Sequence, residues 1–114
     1  MNLKTIEISE ETYEKIKDQL LEDEHKDISE LDDLIGGKFF FRTVTYHMTG
    51  LVIKRIGNIL KLENAAWIAD SGRFMDCIKS GELNEVEPVG YAYLNLSTVV
   101  DFFEWKHDLP KKQK

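Results

Sequence analysis

Phe39-Phe40-Phe41-Arg42-Thr43-Val44-Thr45-Tyr46-His47 is rich in aromatic and β-branched residues, and it predicts a strand. Read as one strand, its alternation puts Phe40, Val44, Tyr46 and Met48 on one face with Arg42. Phe39, Phe41, Thr43, Thr45 and His47 fall on the other. An arginine inside an apolar row calls for a partner, which is either an acid of the same domain or a ligand. Gly50 permits a bend, and residues 51–56 predict a second strand. Gly57-Asn58 suits a two-residue hairpin turn, because both residues accept positive φ. Residues 59–63 then return as a third strand that continues through Asn64 to Asp70.

Beyond that meander, Ser71-Gly72 reads as a turn and residues 73–80 as a short helix. Phe74, Cys77 and Ile78 face inward on it, and Gly81 is its stop. Residues 91–96 and 99–105 predict two more strands, and residues 106–114 a polar tail. Upstream, Ser9 is a good N-cap for a helix over 9–21, with Glu10, Glu11 and Glu14 in its first turns and Tyr13, Ile16 and Leu20 in one narrow stripe. The expected architecture is therefore α+β: a bent antiparallel sheet or small open barrel with an N-terminal helix and one short inserted helix. Residues 1–36 form an acidic helical arm, and residues 37–114 a β-rich core domain.

Charge divides at the same place. Residues 1–36 hold twelve acids and four bases (−8), while residues 37–114 hold nine acids and eleven bases (+2), giving the chain its net −6. The acidic arm opposes a phosphate backbone, so duplex nucleic acid is not an expected partner. The mildly basic part can still hold one small anion. A single cysteine, Cys77, precludes an intrachain disulfide and fits a reducing compartment. No signal peptide opens the chain, and no apolar run approaches the roughly 18 residues of a membrane span. The expected location is the cytoplasm, with no membrane partner.

Catalytic signatures are sparse. There is no Gly-x-Ser-x-Gly elbow, no Gly-rich loop ahead of Lys-Ser/Thr, and no Cys-x-x-Cys. His25, His47 and His107 lack ligand spacing, so neither a metal nor another cofactor is expected. No base is marked near Cys77, which reads as a buried thiol. The chain is expected to be a binding protein, not an enzyme, with no catalytic residues.

One cluster draws notice: residues 67–74, followed by residues 84–88. It gathers Trp67, Asp70, Arg73, Phe74 and Asn84 with two further acids. Nucleotide rings stack on Trp, Phe and Arg planes, Asn and acids read ring edges or ribose hydroxyls, and Arg forks onto phosphate. The same residues have a purely structural reading. In that reading Trp67 and Phe74 are core, Asp70 caps the helix, and Arg73 pairs with Glu85 or Glu87. Arg42 joins them as a sixth candidate ligand residue.

The run 41–45, Thr49-Gly50, residues 62–74, residues 85–88 and the ending 104–110 resemble a family of small phage and prophage proteins over about residues 38–112. More loosely, the pattern is similar to phage anti-defence sponge proteins of the Thoeris anti-defence type. That resemblance implies capture, without cleavage, of a cyclic ADP-ribose immune signal. The pockets would lie at oligomer interfaces and be built from an aromatic, an asparagine and arginines, to which Phe74 and Asn84 correspond. Many relatives carry Arg-Gly where Leu96-Ser97-Thr98 stand here; if that arginine holds phosphate in them, Arg42 or Arg55 would have to substitute in this chain. It implies a small nucleotide signal as partner and a dimer-based homo-oligomer. The alternative is an interaction protein that binds a host defence protein or a virion component.

Overall fold

The computed structural model describes residues 27–114. Five antiparallel strands make up most of it: β1 (Lys38–Thr43), β2 (His47–Ile56), β3 (Ile59–Asp70), β4 (Glu85–Asn95) and β5 (Val99–Glu104). They lie in the order β4-β3-β2-β1-β5. One α-helix, α1 (Phe74–Ser80), joins β3 to β4, and 3₁₀ turns span Leu31–Leu34 and Leu96–Thr98. The α+β expectation is corrected accordingly. The described chain is an antiparallel sheet with a single two-turn helix, and the helix expected over 9–21 lies outside the described residues.

The first strand is shorter than its aromatic run. After Thr43 the chain turns, with the Thr43 hydroxyl donating to the Tyr46 carbonyl and accepting from the Tyr46 N–H. His47 therefore belongs to β2, directly opposite Arg42. Met48 lies opposite Phe41 and Trp67, so it does not share a face with Arg42 as a single strand through His47 would require. Alternation then divides the apolar residues between two cores. Phe39, Phe41, Met48, Val52, Leu60, Leu62, Ala65 and Leu94 bury one face together with Leu34 of the first 3₁₀ turn. Leu94 of β4 and Phe102 of β5 meet this cluster from opposite ends of the strand order, so the sheet curls around it. Register shifts in β2, β3 and β4 supply the bends.

The second core lies on the other face, where Phe40, Ala66, Ile68 and Val86 pack against Cys77 of α1, Leu83 and Trp105. Its cover comes partly from residues 105–114. These form an ordered strap, not the free polar tail their composition suggests. The Trp105 indole is buried and donates to the Asp108 carbonyl (3.1 Å). Lys38 Nζ donates to the His107 carbonyl (2.7 Å), and Lys114 exchanges two backbone hydrogen bonds with Val86, each 3.0 Å. Gly81 stops α1 in the left-handed region (φ 78°), where a side chain would strike the His107 ring, with Cβ 2.6 Å from Cγ. Both ends of the sheet order, β4 and β5, are edges. Val89, Tyr91 and Tyr93 on β4 and Val100 and Phe103 on β5 are exposed.

Candidate ligand-binding site

β3 ends at Asp70, whose carboxylate accepts from the Gly72 N–H (2.8 Å) while its carbonyl accepts from the Asn84 N–H (2.9 Å). Gly72 has φ +70°, and its α-carbon lies against the Asn84 amide, so that an added methyl would sit 3.1 Å from Nδ2. The chain leaving the sheet and the chain returning to it are thereby locked together, with α1 as the loop between them. The expectation that Asp70 caps α1 is corrected. Arg73 occupies the N-cap position with no side-chain cap bond, and Asp70 closes the preceding turn. Ser71, Arg73, Asp76, Lys79, Glu82 and Asn84 line a shallow depression of about 400 Å³ here. It carries two cations and two carboxylates, and the Arg73 side chain makes neither an ion pair nor a hydrogen bond among the described residues.

The six candidate residues do not converge on one pocket. Asp70, Arg73 and Asn84 meet at the turn. Arg42 and Phe74 meet one layer inward, with the guanidinium 5.4 Å from the Phe74 ring centroid and 6.0 Å from that of Phe103. Trp67 points away from both. It neighbours Ile68 in a strand, so alternation sends it to the opposite face, where its ring stacks on Tyr46 at 4.6 Å and 31°.

Arg42 is not free for phosphate. It lies in a row across the sheet, Ile68-His47-Arg42-Asp101, and Asp101 takes it by a fork of 2.6 and 2.5 Å. The hydrogen bond from Arg42 is the main cause holding the Asp101 carboxyl below the usual carboxylate range, against its partial burial. The same bond raises the guanidinium in turn. Arg55, the other substitute, is held by Asp32 (2.7 Å) and by the Gly57 carbonyl (2.6 Å). Leu96–Thr98 bonds to Asn58 at the Ile59 end of β3. The depression lies at the Asp70 end, eleven residues further along a bent strand and so up to about 36 Å away. An arginine at Leu96–Thr98 would not reach it.

Cys77 is fully buried, and desolvation pushes its thiol up, as befits a core residue. Several residues escaped the sequence reading. Asp76, Lys79 and Glu82 line the depression, and Asp101 is the partner of Arg42. Lys61 lies 5.0 and 5.7 Å from the exposed rings of Tyr91 and Tyr93. The i, i+3 spacing of Arg73, Asp76 and Lys79 and the i, i+2 spacing of the tyrosines were the available signals. Among the described residues no helix is long and apolar enough to cross a membrane.

No family model matches the chain, and no curated protein matches it. Among solved structures it is similar to a heptameric archaeal Sm protein, studied for its implications for the eukaryotic snRNP core (18% identity over 65% of this chain and 93% of that one, TM-score 0.47). It is similar also to the P. aerophilum SmAP1 heptamer (18%, 65% and 85%, TM-score 0.48). A chain of the NatC complex bound to CoA is similar to a comparable extent (16%, 71% and 91%, TM-score 0.49). The partner expectation, a dimer-based oligomer with duplex nucleic acid set aside, differs from these heptameric neighbours. The outer edge of β4, bonded to Lys114 at Val86 but exposed at Val89, Tyr91 and Tyr93, differs from that of β5, so a contact between the two would run head to tail, whereas a two-fold dimer pairs like with like.

Proposed function

We propose that this chain is a non-catalytic, cytoplasmic binding protein that captures one small anionic ligand of nucleotide type at the 71–84 depression. The observation that supports it is Arg73. Of the three arginines in the chain, Arg42 and Arg55 are neutralised by Asp101 and Asp32, and the Arg73 side chain has no ion pair among the described residues and lines the depression with Asn84. A guanidinium and a carboxamide together suit a phosphate and a polar ring edge. Phe74 is taken up by packing against Phe40 and Phe103, so a ring to stack on the ligand would come from a neighbouring copy. The exposed stretches of the two edges, at Val89, Tyr91 and Tyr93 on β4 and Val100 and Phe103 on β5, support head-to-tail assembly of such copies. The resemblance to phage proteins extends the reading to an immune nucleotide signal.

The test is incubation with lysate containing cyclic ADP-ribose signals, followed by heat release. Intact nucleotide in the supernatant, lost with Arg73→Ala or Asn84→Ala, supports capture. A cleaved product would make the chain an enzyme. No nucleotide at all would favour the second reading, a protein-binding module, which the exposed Val100, Phe103, Val89 and Tyr91 of the two edges support.

A further inference from the structure

Trp67 and Tyr46, set aside by the 71–84 depression, form an exposed stack on the opposite face, with Trp67 44% accessible. Trp67 lies directly opposite Glu87 on β4, which puts that carboxylate beside the indole on the same face. Glu85 follows two residues along β4 on that face, and both glutamates are exposed. Among the described residues neither side chain makes an ion pair, and that of Glu87 takes a 3.3 Å hydrogen bond from the Gln113 amide. The rim therefore presents two flat rings beside carboxylates that make no ion pair among the described residues.

The chain shows elsewhere what such a set holds. At Arg42 a guanidinium lies over two rings, at 5.4 and 6.0 Å, and is forked by the Asp101 carboxylate. The rim at Trp67 has the same parts without the guanidinium. We propose that Trp67, Tyr46 and Glu87 form a docking site for an arginine side chain presented by a protein partner. The guanidinium would stack on the indole and fork onto Glu87. Arginine fits better than lysine, because a planar fork satisfies ring and carboxylate together, whereas an ammonium is a hydrated point charge. The surface is an open rim, so its occupant is a side chain on a larger body and not an enclosed small molecule.

The test uses the full chain and short acetylated, amidated peptides that carry arginine, lysine or citrulline between glycines, followed by tryptophan fluorescence. Trp105 is buried, so the response is assigned by its loss in Trp67→Phe. The arginine peptide is expected to shift the emission saturably. It should bind about tenfold more tightly than the neutral citrulline isostere, as expected for one charge-assisted pair. Glu87→Gln should remove that difference while leaving the melting temperature unchanged, since the side chain is exposed. Equal binding of citrulline and arginine would overturn the proposal. So would unchanged arginine binding in Glu87→Gln, or no response to arginine at any concentration. Tight binding of lysine with weak binding of arginine would also overturn it.

Discussion

Arg42 and Asp101 hold one another in a pair whose side chains are each 38% exposed. Because the Asp101 carboxyl is held below the usual range, its contribution is complete above about pH 4 and is lost as pH falls through the lowered value. Thermal melts of the wild type should therefore be level down to about pH 4 and fall below it. Asp101→Asn should melt lower at neutral pH, and the gap should close in acid. A gap independent of pH would show that the pair is not its cause. Cys77 gives a second expectation from a single side chain. Buried and shifted upward, its thiol should resist a thiol reagent in the folded protein and react promptly in denaturant. Fast labelling of the native state would contradict that packing. Arg73→Ala and Asn84→Ala should both lose ligand. Arg73→Ala should melt within about 0.5 kcal/mol of wild type, since that side chain has no ion pair among the described residues.

The strands were the most legible part of the sequence. Aromatic and β-branched runs mark β1 to β3, Gly57-Asn58 marks their hairpin, and Gly81 marks the end of α1. Three things were hidden, each for a physical reason. Val44, Thr45 and Tyr46 have strand propensity, yet a local hydrogen bond from Thr43 turns them, and propensity cannot see that choice. The first half of β4, from Glu85, contains Pro88 and Gly90, which a central strand would not tolerate but an edge does. The strap reads as polar because its contacts, such as Lys114 with Val86, are distant in sequence. Within the site, Asp70, Arg73 and Asn84 were legible because a tight turn keeps them close. Trp67 was misplaced because period-two alternation separates it from Ile68. The strap also carries a prediction. Trp105→Ala should cost about 3–5 kcal/mol in denaturant unfolding, as loss of a buried indole does. Gly81→Ala should destabilise too, because it is strained at φ 78° and displaces His107. If Gly81→Ala melts normally, the His107 contact does not hold the strap.

Under the proposed assembly, copies meet through the exposed stretches of the β4 and β5 edges. Head-to-tail pairing of β4 with β5 should give a closed species larger than a dimer, seen by native mass spectrometry or sedimentation at micromolar concentration. Val100→Lys on β5 should reduce that species toward monomer with little change in the fold, because Val100 is 66% exposed. A wild-type monomer, or a dimer unaffected by Val100→Lys, would refute edge pairing. Polarity of this kind has a stoichiometric consequence. Every copy offers one edge of each sort, so a copy with one edge blocked still joins through the other and then ends the growing array. A minority of such copies would poison assembly far beyond their own number. In a cell making both forms, the blocked chain would behave as a dominant inhibitor of the intact one.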